Sequence, residues 1–536
     1  MLINHCSHHS CGRIFVFPYP YLTLFGLGLM TSVVAIVLGI MFSRYFEIFD
    51  HPSDHKQHQM STPFIGGLGI IGAVLIVLKM AYSQQMMSST EVWVIAGSTL
   101  IIFVTGLIDD IWRLGYKIRF LIQSLVACLM VYGGGVMLTD LGQIVPGAIT
   151  VELGPLALFF TIFATLGVIN ALNMIDGIDG LSGSVALTTL LLLLIVALLA
   201  GYSDCLVLMT ALISGVIGFL GFNLRCCGRS RAWVFLGDNG SMLMGFLLAW
   251  LLIDLSQGPT PAMTPVTALW LFAVPLIDTV TVMVRRLWLG KSPFHPDRFH
   301  LHHLLLRAGF RTSDAVLLIV LLHSLFGVIG LAGLYLKIWE PLMLAGFLGI
   351  FSGYLYVASR PWRCIPALRR LHTRFGLMKA DCQGVFIGYF DLETTSRVLP
   401  TLQAAMTPEY EYDLRVYQSR DVNSADPRFY AVLEAELAEE GGSELKLKQL
   451  VSALKKALSA DCDIEVRQYV RRDPANDRRA GQKSIPQDLR RADRRDAQDK
   501  LLVEADYFLN RSLSCDVHFV GDVKKPSPSK LATEAK

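Results

Sequence analysis

The chain has 536 residues, of which 53% are hydrophobic and only 17% charged, with a mean hydropathy of +0.48 and a formal net charge of +3. A soluble domain averages about 25% charged residues, so this composition excludes an ordinary soluble protein and places much of the chain in lipid. Ten cysteines without a repeated spacing exclude a disulfide framework or a zinc ribbon.

The local group Cys6, His8, His9 and Cys11 has a spacing able to bind a metal, but reads rather as part of an unstructured N-terminal tail. A spanning helix needs about 20 mostly apolar residues. The first such run, 19–43, lacks a small-residue cleavage site and reads as a span, not a signal peptide. It leads into DHPSDHKQHQMSTPFIGG (50–67), where Lys56 and the pair Gly66-Gly67 fit a loop touching a substrate phosphate or a lipid headgroup. Spans 65–80 and 92–108 follow, the latter running into Asp109-Asp110 beside Arg113, Lys117 and Arg119. Adjacent carboxylates among bases suit a site that manages a divalent cation and phosphates, since Mg²⁺ needs only one or two carboxylates plus substrate oxygens. A charged helix cap is the alternative reading of the same residues.

After spans 117–137 and 156–173 comes NALNMIDGIDGLSG (170–183). Asn170, Asn173 and Asp176 are three apart and share a helix face. Asp179 falls in the turn beyond, between Gly177 and Gly180. Oxygens converging beside flexible backbone make a cation and phosphate site. Spans 183–201 and 206–223 lead to VFLGDNGS (234–241), which sets Asp238 in a glycine-flanked turn at the start of span 240–255. The helix behind that turn aims N–H groups at an anion, and Asp238 reads as a metal ligand. Span 266–284 precedes the longest connecting loop, RRLWLGKSPFHPDRFHLHHLLLRAGF (285–310). There His300, His302, His303 and Arg298 offer donors able to grip a pyrophosphate. Spans 313–336 and 342–359 complete a set of eleven.

The connecting loops alternate in charge. Arg44, Lys56, Arg113, Arg225, Arg229, Arg231, Arg285, Arg286, Lys291, Arg298, Arg307 and Arg311 lie on one side, while only Lys79 and Lys337 edge the other. The positive-inside rule puts the basic side in the cytoplasm, with the N-terminus outside and the C-terminus inside. The same side carries nearly all the carboxylates and histidines named above, so they form one composite site facing the cytoplasm.

From Arg360 the apolar runs stop. Arginines with Trp362 and Phe375 read as a segment lying on anionic headgroups. Strand-like stretches at 384–390, 410–418 and 463–470, with helix-like ones at 428–440 and 444–458, predict a cytoplasmic α+β domain over 360–470. Residues 471–536 read as a charged linker and tail, whose interleaved acids and missing aromatics argue against nucleic-acid binding. The expected fold is thus an all-α polytopic membrane domain, 1–359, with a small α+β domain behind it.

Four motifs in this order and on one side resemble the polyprenyl-phosphate N-acetylhexosamine-1-phosphate transferase family, over about 44–312 and the spans around it. Leu301 interrupts the histidine run that the peptidoglycan branch carries unbroken, so the loop is most like the branch that uses UDP-GlcNAc. The resemblance implies Mg²⁺-dependent (or Mn²⁺-dependent) transfer of GlcNAc-1-phosphate to undecaprenyl phosphate in a bacterial inner membrane. UMP is released, at the first membrane step of a surface glycan pathway. It implies Asp238 and Asn173 as metal ligands and Asp109 and Asp110 at the reaction centre. Asp176 and Asp179 would shape the nucleotide-sugar site, and His300, His302, His303 and Arg298 would hold the donor phosphates. Lys56 and Asn170 are expected to contact substrate. The partners expected are the UDP-sugar donor, the lipid acceptor and membrane lipid, with a homodimer as an allowed assembly. Another UDP-N-acetylhexosamine donor is the near alternative, and a transporter the distant one, disfavoured because the charges sit at one face without a repeat.

Overall fold

The computed structural model describes residues 19–46, 62–147, 149–225, 229, 231–288, 290, 292–293 and 299–375. It also describes the backbone of strands at 382–390, 412–418, 429–436, 464–469, 500–507 and 517–519. Lys56, Arg298, the Cys6–Cys11 group and the helix expected at 444–458 lie outside these residues. The chain divides into one unit of residues 1–51, 61–306 and 312–364 and another of 52–60, 307–311 and 365–536.

The first unit is a helical bundle. Its helices are α1 (Tyr19–Phe46), α2 (Gly66–Ser83), α3 (Ser89–Trp112), α4 (Tyr116–Gly134), α5 (Ala157–Ile175), α6 (Leu181–Ala200), α7 (Leu206–Asn223) and α8 (Gly237–Asp254). After them come α9 (Pro265–Leu271), α10 (Ala273–Trp288), α11 (Leu301–Arg307), α12 (Thr312–Tyr335) and α13 (Glu340–Ala358), with α14 (Pro361–Arg374) leading out. Local chemistry sets the ends. The Ser88 hydroxyl accepts from Glu91 N–H (3.2 Å) while Glu91 accepts from Ser88 N–H (2.8 Å), a capping box that starts α3.

Outward faces stay apolar. Leu121, Leu125 and Leu129 on α4, and Leu317, Leu321 and Leu325 on α12, are each exposed at helical spacing. Water would penalise such stripes, whereas lipid solvates them. Among the described residues nine helices are long and apolar enough to cross a membrane, or ten if a bent pair counts as one span, and this is a multi-pass membrane protein. The expected eleven are not reached by that measure, for two reasons. Helix α8 carries Asp238, Asn239 and Asp254 at its ends, which dilute its hydropathy although Asn239–Ile253 is buried throughout. The run read as 266–284 is two helices, α9 and α10, bent by 85°. Pro275 explains the break: it has no N–H to donate to Leu271 and its ring crowds that carbonyl. The Thr189 hydroxyl lies 3.3 Å from the Leu271 carbonyl and 2.9 Å from Nε2 of the buried His323, so the break is lined with polar partners.

Helix α8 is the axis of the bundle, packed against α2, α3 and α5. At 1.5 Å per residue it is about 27 Å long. Its first turn meets the end of α3. Just past its last turn, Gln257 accepts from Thr139 N–H (2.7 Å) and Asp140 N–H (3.2 Å), in the segment after α4. Nearby, Glu340 at the start of α13 accepts from Gln143 N–H (2.9 Å). One end of the bundle is thus tied by neutral and acidic groups, and the other holds the charged motifs.

The second unit contains β1 (Cys382–Phe390), β2 (Tyr412–Gln418), β3 (Phe429–Glu436), β4 (Ile464–Tyr469), β5 (Lys500–Tyr507) and β6 (Val517–Phe519). They form one sheet in the order β4-β1-β3-β2-β5-β6, every neighbouring pair antiparallel. The stretch 428–440, expected as a helix, holds strand β3. Its Phe, Tyr and Val residues suit a pleated surface, and pairing to β1 and β2 on both edges decides the matter. Strands β5 and β6 lie within the residues read as linker and tail.

Candidate active site

The site is built around the first turn of α8. Gly237 has φ +76°, a left-handed conformation that favours glycine. The residue before the helix, Leu236, has no side chain able to cap it. The cap comes from another helix: Asp110, at the end of α3, accepts from Asp238 N–H (2.8 Å), Asn239 N–H (3.1 Å) and the Asn239 amide. A carboxylate there satisfies orphan donors and meets the positive end of the helix dipole. Close approach of α3 requires Gly106, where a side-chain carbon would collide with the backbone of Asp238 and Asn239. Asp110 therefore acts in this structure as the charged cap, one of the two readings open from sequence. Its neighbour Asp109, 4% exposed, pairs with Arg119 of α4 at 2.7 Å and also lies within hydrogen-bonding reach of the Asp238 carboxyl.

Helix α5 supplies the opposite wall. Asn173 donates to Asp238 Oδ1 (2.6 Å) and to the Ser241 hydroxyl (2.9 Å). Asn170 lies one turn deeper and gives its amide nitrogen to Gln123 Oε1 (2.9 Å) and the Leu166 carbonyl (2.8 Å). At the end of α5, Asp176 accepts from the Ser182 hydroxyl (2.6 Å). Burial pushes the Asp176 carboxyl up to about 7 against the opposing Ser182 bond, and the charges of Asp238, Asp110 and Asp179 push it the same way.

Asp179 faces away from that centre, accepting from Arg225 Nε (2.7 Å) and Ala232 N–H (3.1 Å). With Gly180 N–H bound to Asn223 Oδ1 (2.6 Å), it stitches the loop after α5 to the loop before α8. Gly66 and Gly67 spend their N–H groups on the Phe235 and Leu236 carbonyls (2.9 and 3.3 Å). The pair expected to touch substrate thus packs against the Asp238 turn.

The histidines form a stack. His300 and His302 rings are parallel within 6° at 5.7 Å, and His303 lies 4.2 Å from His302. His302 is 1% exposed, neither of its ring nitrogens has a hydrogen-bond partner among the described residues, and it packs against Gly177. Burial holds this ring well below the usual histidine range, helped by the neighbouring His303 and His300, so it is neutral. Sequence reasoning passed over Asp278 of α10, which binds His300 Nδ1 at 2.8 Å, and Tyr354 of α13, which donates to Asp278 at 2.6 Å. A lone carboxylate inside an apolar span is a signal of function by default, and it was available at Asp278; nothing singled out Tyr354.

The structure thus brings Asp109, Asp110, Asn173, Asp176 and Asp238 together. Asn170 and Asp179 border them, and His302 reaches the same loop through Gly177. Among the described residues no three His, Cys, Asp or Glu side chains enclose one point. Mg²⁺ does not ask for such a cage. The crowding of carboxylates that raises Asp176 is the charge environment a divalent cation neutralises, so Asp176 and Asp238 fit one. As placed, Asn173 turns its nitrogen, not its oxygen, to Asp238.

A family model described as glycosyl transferase family 4 matches residues 92–256, which hold most of α3, all of α4 to α8, and the site's carboxylates Asp109, Asp110, Asp176, Asp179 and Asp238. The undecaprenyl-phosphate alpha-N-acetylglucosaminyl 1-phosphate transferase of Pasteurella multocida (strain Pm70) is 36% identical over 352 residues, 65% of this chain and 97% of the relative. Its namesake in Yersinia pestis is 37% identical over 357 residues, 66% of this chain and 94% of the relative. The one in Escherichia coli (strain K12) is 36% identical over 360 residues, 65% of this chain and 96% of the relative. Matched at this identity over nearly the full length of such relatives, the chain belongs to the polyprenyl-phosphate N-acetylhexosamine-1-phosphate transferase family.

Proposed function

We propose that this protein transfers N-acetylglucosamine 1-phosphate from UDP-GlcNAc to undecaprenyl phosphate at the cytoplasmic face of a bacterial inner membrane, as the first membrane step of a surface glycan. The observation that carries it is the convergence of Asp110, Asn173, Asp176 and Asp238 at one end of a lipid-solvated bundle, in a chain whose relatives bear that activity in their names. A phosphate oxygen of the lipid attacks the sugar-linked phosphorus, a new P–O–P bond forms, and the bond to UMP breaks with the electron pair leaving on UMP. The lipid phosphate is already ionised at neutral pH, so no strong base is needed. Phosphoryl transfer asks mainly for positioning and charge stabilisation.

Asp238 and Asp176 would hold Mg²⁺, which when bound offsets the charge on the pyrophosphate and leaving UMP. Asn173 would join them by presenting its amide oxygen. Asp110 positions Asp238, and Asp109 with Arg119 ties the start of α4 to the end of α3. The histidine stack and Arg298 would line the donor phosphates.

The same reading gives eleven crossings. Helix α8 begins among the carboxylates and ends by Gln257 at the opposite end, and the α9–α10 pair returns from there towards His300, so both count as traverses. An odd number of crossings sets the termini on opposite sides, and with the basic loops in the cytoplasm this reading has the N-terminus outside and the C-terminus inside.

Purified protein in detergent, given undecaprenyl phosphate and radiolabelled UDP-GlcNAc with Mg²⁺ or EDTA, tests the proposal. Labelled lipid and released UMP in Mg²⁺ alone are expected. Transfer from a different UDP-N-acetylhexosamine would move the donor assignment, and no transfer from any donor would refute the reaction.

A further inference from the structure

The environment of His300 is built with more care than packing requires. Asp278 is 2% exposed inside an apolar helix, where an ionisable group is costly. Its two oxygens are divided. Oδ1 accepts from Leu301 N–H (2.9 Å), at the first residue of α11, and from the Tyr354 hydroxyl (2.6 Å) of α13. Those bonds fix the carboxylate plane and leave Oδ2 for His300 Nδ1, at 2.8 Å. A ring nitrogen facing a carboxylate carries its proton, so Asp278 sets the tautomer as well as the plane of His300. The parallel ring of His302 lies on His300 and touches Gly177, in the loop that carries Asp176 and Asp179. One line of contact therefore runs from α13 through α10 and the histidine stack to the carboxylate loop.

We propose that Asp278, locked by Tyr354, is a positioning residue of the transferase: it fixes His300 Nδ1–H and, through the stacked His302, sets the histidine wall that receives the donor phosphates. The assignment rests on the function proposed above. It also gives α13 a part in the site, although that helix carries none of the family's motifs.

The test uses Asp278→Asn and Tyr354→Phe in the full chain. Asparagine at 278 keeps the volume and an oxygen for Leu301 and Tyr354, but turns an N–H donor to His300 and so reverses its tautomer. That is the change a structural role would not notice. Partners that orient a functional histidine are worth about 10–100-fold when removed. Expected for Asp278→Asn is a KM for UDP-GlcNAc about 10-fold higher, with the KM for undecaprenyl phosphate and the melting temperature unchanged. Calorimetric titration with UDP-GlcNAc should weaken by the same factor, and Tyr354→Phe should move both readouts the same way by less. An unchanged donor KM and affinity in Asp278→Asn would overturn the assignment. So would a joint rise of both KM values with a lowered melting temperature, which marks a purely structural role. Wild-type protein runs beside the variants, so absence of transfer in every sample counts against the reaction, and equal transfer in all counts against Asp278.

Discussion

Replacing Asp110 with alanine separates a helix cap from a reacting group. The carboxylate accepts from Asp238 N–H, Asn239 N–H and the Asn239 side chain at the start of α8, a helix with no local cap. Hydrogen bonds to a charged group are worth about 1.5–3 kcal/mol each, and a buried donor left unpaired costs a similar amount. Loss of an ordinary cap costs about 0.5–2 kcal/mol. Against this, removing one negative charge relieves repulsion among Asp109, Asp176 and Asp238. The balance comes to about 3 kcal/mol of lost stability, or on the order of 5 °C in melting temperature for a bundle of this size. Asp238→Asn gives the contrast. Its carboxylate accepts a bond from Asn173 and crowds Asp109 and Asp110, so the amide should melt at or above wild type while transfer is abolished. Melting followed by size-exclusion in detergent, beside the radiolabel assay, reads both quantities on the same samples. If Asp110→Ala melts with wild type and loses only transfer, the cap argument is wrong and Asp110 belongs to the chemistry alone.

Gly106→Ala should destabilise by about 2 kcal/mol or more and depress transfer, because the added methyl meets the backbone of Asp238 and Asn239, which cannot yield as a side chain could; a wild-type melt would refute the close approach. The raised Asp176 carboxyl makes stability depend on pH. Between its ordinary value of about 3.9 and about 7 the folded chain holds a proton the unfolded chain has lost, so stability falls as pH rises through that window. Mg²⁺ should therefore raise the melting temperature more at about pH 8 than at about pH 5.5, and equal protection at both would count against the cation site. Cutting the chain after α14 should leave transfer intact, since relatives are matched over nearly their whole length by about 65% of this chain. Loss of transfer in a well-folded truncation would give the second unit a part in the reaction.

Spans and their order were legible because lipid demands long apolar runs, and the basic loops mark one side. Boundaries fell within a few residues where caps are local, as at Ser88 and Glu91. What was hidden depends on partners distant in sequence. Asp109 and Asp110 are adjacent in the chain but about 100° apart around α3, so one pairs with Arg119 of α4 and the other caps α8. No local pattern says which does which. The break between α9 and α10 did have a signal, Pro275 inside an apolar run, but hydropathy averages over it. The β3 stretch carries helix-compatible residues such as Ala and Glu, and only its two antiparallel neighbours make it a strand.

The hydrogen bonds divide the acidic residues into two groups, and that division carries the cation argument. Asp109 is matched by a guanidinium, Asp179 by a guanidinium and a backbone N–H, and Asp110 by the end of a helix dipole. Each of these charges is compensated, and each holds one element against another: α3 to α4, the α5 loop to the α7–α8 loop, α3 to α8. Asp176 and Asp238 differ: among the described residues no cation pairs with either, Ser182 donates to Asp176, and Asp238 takes an amide from Asn173 while crowding Asp109. Two carboxylates without a cation, each set among other acids in a partly buried space, are repelled, and a bundle selected for stability alone would gain by replacing one with an amide. Keeping both makes physical sense if a positive charge joins them during function. In the proposed reaction that charge arrives with the donor pyrophosphate as Mg²⁺, and the compensated acids around it keep the two ligands where the phosphates come in.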